Sequence, residues 1–105
     1  MTLLDRAAIL AAPDIATELA EVPEWGGQVR LRGLSAAALS AVRISSDGKE
    51  ADAFMLAVLG ASLTDETGAL LFPGEAGQAE LGTKNPAVLN RLFEVAARVN
   101  AFGMG

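Results

Sequence analysis

The chain has 105 residues, a length that fits one domain, with 13 acidic residues against 8 basic ones and a formal net charge of −5. That balance disfavours nucleic acid, which demands clustered Lys and Arg, and it disfavours an anionic membrane surface. Cys, His and Tyr are absent, which excludes disulfide frameworks, thiolate nucleophiles and imidazole acid–base catalysis.

The first predicted element is a weak helix over Leu3–Ala11, capped by Thr2 and closed by Pro13, with Leu3, Ala7 and Leu10 on one face. Residues 1–14 read as a loosely attached N-terminal segment of a single domain spanning 1–105. The apolar run Ala7–Ala12 is six residues long and follows Asp5-Arg6, too short and wrongly flanked for a signal peptide, so a cytosolic protein is expected.

Thr17–Val22 and Gln28–Leu34 flank the break Pro23-Glu24-Trp25-Gly26-Gly27. In the second run Val29 and Leu31 face one way and Gln28, Arg30 and Arg32 the other, the alternation of a β-hairpin with one solvated face. Arg30 and Arg32 then read as a solvated pair beside Glu18. Trp25, the single Trp, is either a packed ring closing one end of the core or an anchor for a partner.

Ser35 is a good N-cap for a short helix from Ala36 to about Val42, followed by a polar loop, Ser45-Ser46-Asp47-Gly48. Asp47, with Glu50 three residues on, fits a capping box for the next helix, Glu50–Leu63. Phe54, Met55, Leu56, Val58 and Leu59 leave that helix almost without a polar face, so it is expected to be covered all round. Asp65-Glu66-Thr67-Gly68 fits a type I turn between two very short strands. A helix from Glu75 to Leu81 is expected to stop at Gly82. The last helix starts at the cap Asn85 with Pro86 in its first position and runs to about Asn100. Its apolar stripe is Val88, Leu89, Leu92, Phe93, Ala96 and Val99, and Glu94 and Arg98 stand at the spacing of an ion pair on the other face.

These elements predict an α+β fold: a small antiparallel hairpin or sheet packed with four to five helices, the long C-terminal one across the core. Chemistry is thinly represented. Asp65 and Glu66 lack the alternating oxygen ligands and distant Glu of a calcium loop, and the Gly-x-x-x-x-Gly-Lys phosphate motif is missing. Carboxylate dyads and a Ser–Lys pair stay open in principle, with no local motif behind either. No catalytic residue, cofactor or metal ligand is expected.

Three pieces in order, VPEWGGQVRLRGLSAAAL (Val22–Leu39), SLTDETGALLF (Ser62–Phe72) and LGTKNPAVLNRLFEVAARVN (Leu81–Asn100), resemble the tail assembly chaperones of long-tailed bacteriophages and gene transfer agents. The resemblance covers roughly Ile15–Asn100 and rests on the ordered set rather than on one motif. It implies a non-catalytic protein that binds the tail tape measure protein, helps tail tube protein polymerise around it, acts in the host cytoplasm and is absent from the mature virion. It also implies a longer frameshifted form, this chain with its end at Gly105 being the short one, and homo-oligomers are an option. The alternative is a structural tail or head–tail connector protein retained in the virion. Trp25, Val29, Leu31, Phe54, Leu71, Phe72 and Leu92 are the candidate partner-binding residues.

Overall fold

Alternation in two short runs sets the sheet. Thr17–Val22 (β1) and Gly27–Arg32 (β2) pair antiparallel, with Thr17 opposite Arg32 and Val22 opposite Gly27. The computed structural model describes residues 2–100. The extreme ends of the expected 1–105 domain, including the terminus at Gly105, lie outside the described residues. Pro23–Trp25 form one 3₁₀ turn between the strands, and Gly26 closes it at φ 79°, a left-handed position that glycine takes without steric cost. The hairpin is as expected, with Gly27 drawn into the ladder.

The remaining elements follow in order: α1 (Arg6–Ala11) before the hairpin, then α2 (Ala36–Ser46), α3 (Ala51–Ser62), β3 (Leu63–Thr64), α4 (Gly74–Leu81) and α5 (Pro86–Val99). β3 pairs antiparallel with β2, giving a three-stranded sheet in the order β1-β2-β3, and Thr64 also bridges to Leu70. The architecture is α+β with the long C-terminal helix laid over the sheet, as the sequence pattern predicts.

The cross-strand pairs Val22–Gly27, Ala20–Val29 and Glu18–Leu31 share one face, and Val22 and Leu31 on that face are fully buried. Leu92 and Ala96 of α5 close over it. Val58, Leu59 and Leu63 complete the core from α3 and β3. α3 packs against α2, α4 and α5, which is why it can be apolar on nearly every side. Among the described residues no helix is long and apolar enough to cross a membrane.

Local rules held where a side chain within three residues decides. Ser35 accepts from Ala38 N at 3.1 Å, and Asn85 accepts from Ala87 N at 2.8 Å ahead of Pro86. Asp65 organises its turn: Gly68 N donates to Asp65 O at 3.1 Å, and Thr67 N and Ala69 N donate to the Asp65 carboxylate. Other expectations are corrected. Asp5, not Thr2, caps α1, accepting from Ala8 N at 2.8 Å, and the helix begins at Arg6. α2 continues through Ser45 and Ser46, whose hydroxyls donate back to Val42 O at 3.0 and 2.8 Å. A serine satisfied in this way needs no loop. Asp47 therefore ends α2 instead of capping α3, and Glu50 at the start of α3 makes no side-chain cap. α4 stops at Gly82 as expected, on an ordinary right-handed backbone.

Candidate functional site

The hairpin end, the start of α5 and the Leu70–Pro73 segment meet at one corner of the molecule. Trp25 is carried there by its 3₁₀ turn, half-buried and packed against the core. The Lys84 ammonium sits 5.7 Å from the centre of the indole, on the turn that leads into α5. Beside the ring opens a groove of about 440 Å³ whose apolar wall is Trp25, Val29, Leu63, Leu71, Phe72 and Leu81. Glu80, Thr83 and Lys84 form its polar rim. The large apolar lining with a few charged groups at the edge is the composition of a surface that takes an apolar side chain or a helix face.

Two features hold this corner in shape. Arg91 of α5 grips Glu24 of the hairpin with both arms of its guanidinium, at 2.7 and 2.8 Å. That hydrogen bond draws the Glu24 carboxyl down from its ordinary value near 4.5 to about 2. On the other side, α4 approaches the Phe72 backbone so closely that Gly77 has no space for a side chain. Asp65, in the turn that leads into that segment, is also held below its ordinary range, chiefly by the Thr67 hydroxyl and then by the Ala69 amide.

The groove gathers four of the seven residues singled out from sequence: Trp25, Val29, Leu71 and Phe72. The other three stand elsewhere. Leu31 and Leu92 are core residues, 0% and 2% exposed, and offer no surface to a partner. Phe54 packs edge-on against Phe93 with ring centres 6.1 Å apart, away from the groove lining. Sequence reasoning missed Leu63, Glu80, Leu81, Thr83 and Lys84 at the site. The only signal was that the 81–84 turn directly precedes the Asn85-Pro86 start of α5, which must pack near the sheet.

The arginines on β2 differ from expectation. Arg30 and Arg32 are half-buried, donating to Asp65 O and Ala61 O at 3.2 Å each, and so they tie β2 to β3 and α3. Glu18 lies opposite Leu31 and takes its partner from α5, Arg98, at 2.6 Å. Arg98 thereby turns to the sheet instead of to Glu94. Among the described residues no cluster of acidic side chains is arranged to hold a metal ion.

No protein-family model and no curated protein matches the chain. Among solved structures, the bacteriophage HK97 tail assembly chaperone superposes with a TM-score of 0.65 over 87% of this chain and 88% of that one, at 21% identity. The chain shares that chaperone's fold. In this chain the three sequence pieces that carry the family resemblance form the hairpin with the Trp25 turn, the Asp65 turn with Phe72, and the 81–85 turn with α5. All three meet at the groove, whose lining includes Trp25 from the first, Phe72 from the second and Leu81 and Lys84 from the third.

Proposed function

We propose that this protein is a non-catalytic chaperone of phage tail morphogenesis, which holds the tail tape measure protein through the Trp25 groove and assists assembly of the tail tube around it. The observation that carries this reading is the fold shared with the HK97 tail assembly chaperone over 87% of the chain. The groove supports the choice of client. A tape measure is a long helical chain, and a helix presents apolar residues at i, i+3, i+4 and i+7 that an apolar channel of this size can receive. The net charge of −5 keeps such a complex soluble. On this reading tail tube protein and a longer frameshifted form are further partners, and the protein acts in the host cytoplasm and leaves before the particle is complete.

The test is co-expression with the tape measure protein of the same phage. The expected outcome is that tape measure stays soluble and co-elutes with this chain. Tape measure that precipitates equally with and without the chain removes the proposal. Recovery of the chain in purified particles, by mass spectrometry, replaces it with a structural tail or connector role.

A further inference from the structure

We propose that the open edge of β1 takes an extended, basic segment of a partner protein as a further strand of the sheet. β1 is the outer strand in the order β1-β2-β3, and it pairs on one side only. Gly33 N donates to Ala16 O at 2.7 Å, which sets the phase of the ladder between β1 and β2. Alternate residues exchange the bonds, so Glu18, Ala20 and Val22 turn their main chain towards β2. The N–H and C=O groups of Thr17, Leu19 and Glu21 therefore point out of the sheet, and all three residues are exposed. Such a row of unmet donors and acceptors is a template for one kind of ligand, another extended main chain.

The usual devices that close such an edge are missing. Thr17–Val22 holds no Lys and no Pro, and its register with β2 runs without a bulge. The charge turned to the α5 face, Glu18, is answered by Arg98 at 2.6 Å and so does not bar an added strand. The arm before β1 is not that strand, since it leads straight into β1 and is helical over Arg6–Ala11.

Charge selects the occupant. Glu21 on β1, Asp14 just ahead of it and Glu94, on the flank of α5 that reaches the hairpin through Arg91 and Arg98, are exposed. Among the described residues none of these three acids has a cationic partner. A second copy of this chain, with its net charge of −5, brings the same acids to the edge and is repelled. A strand with Lys or Arg towards each end meets Glu21 and Asp14 instead. Between them Leu19, 60% exposed on the outer face, calls for an apolar residue directly opposite. Set antiparallel against the run from Glu21 back to Asp14, a matching segment reads Lys-Val-Ile-Thr-Thr-Gln-Thr-Lys, with its Ile beside Leu19.

The probe is that peptide, acetylated and amidated at its ends, added to the full chain while amide hydrogen exchange is read residue by residue. Exchange at Thr17, Leu19 and Glu21 is expected to slow by about tenfold or more. The same peptide N-methylated at its Ile is expected to lose binding, because it lacks the N–H that reaches Leu19 O. Leu19→Pro removes an outward N–H that makes no bond to β2, so it is expected to abolish protection at Thr17 and Glu21 while the circular dichroism spectrum keeps its shape. Glu21→Lys, which leaves the main chain untouched, is expected to weaken binding by about three- to tenfold, and a peptide with Glu in place of its first Lys to recover the loss. No protection of these amides at peptide concentrations up to roughly millimolar overturns the proposal. So does equal binding of the N-methylated peptide, or binding indifferent to Glu21→Lys. Protection of the same amides on concentrating the chain without peptide also overturns it, and assigns the edge to a second copy.

Discussion

Gly77 is the residue on which the corner around the groove depends most directly. A Cβ there would lie 2.2 Å from the Phe72 carbonyl carbon and 2.3 Å from its oxygen, and backbone cannot swing aside as a long side chain does. Gly77→Ala is therefore expected to destabilise by about 1–3 kcal/mol, because α4 must move off the Leu70–Pro73 segment. The measurement is thermal unfolding followed by circular dichroism, with a fall in Tm of roughly 5–20 °C. Gly27→Ala is the control: it has open space and no positive φ, and should melt with the parent. Equal melting of both variants would show that α4 is free to shift. Trp25 resolves at the same scale into neither a fully buried core ring nor a free anchor. One part of the indole packs on the core, Lys84 stands near the ring, and the groove opens beside it.

At the scale of elements, the apolar residues of α5 and of the segment after β3 have different work. Leu92 on α5 is sealed between helix and sheet, 2% exposed, whereas Leu71 is 49% exposed on the groove wall. Leu92→Ala is expected to cost about 2–5 kcal/mol of stability, the transfer free energy of the lost atoms plus the cavity they leave. Leu71→Asp is expected to change stability by only about 0.5 kcal/mol, as substitutions at open positions do, and yet to abolish co-elution with tape measure. Chemical denaturation paired with the co-expression readout separates the two. A Leu71→Asp chain that still carries its client would move the binding surface off this groove. The same contrast explains α3: apolar on nearly all sides, it is covered by three other helices and so leaves no broad sticky face.

At the scale of the whole molecule, two ion pairs tie opposite ends of α5 to opposite ends of the hairpin: Arg91 to Glu24 near its start and Arg98 to Glu18 near its end. Beyond them, Asn100 accepts from Leu34 N at 2.6 Å and donates to Ala96 O, joining the end of α5 to the lead into α2. The pairs are exposed, so salt should weaken them. The Glu24 carboxyl ionises at about 2 in the folded chain and near 4.5 when unfolded, because Arg91 holds its charged form. Its contribution to stability is thus complete above the unfolded value and disappears as pH falls through the folded one. Asp65, lowered by Thr67 and Ala69, acts in the same direction. Glu24→Gln is expected to lower Tm at neutral pH and to flatten the decline of Tm below about pH 4.5, where the parent is losing what the variant never had. A variant whose Tm–pH curve runs parallel to the parent's would show that the Arg91 clamp contributes nothing to folding.

The sequence by itself determined the elements and most of their ends: the hairpin around Trp25, the caps Ser35 and Asn85, the Asp65 turn and the apolar stripe of α5. Each of these is decided by groups within about four residues of one another, through periodicity, proline's fixed φ or a side chain reaching its own backbone. Even the misplaced helix ends, at Asp5 and Ser46, turn on such local hydrogen bonds, resolved in favour of a different neighbour. Only the tertiary structure decided which apolar residues became core and which became groove wall. Leu31 and Leu71 look alike in their runs, and burial depends on what other elements lay over them. It also decided the partners of the charges, since Arg98 finds a carboxylate four residues along its own helix but meets a better-placed one, Glu18, across the sheet. Gly77 reads as an unremarkable helix residue until α4 is set against Phe72, because a steric limit between segments exists only once the segments have docked.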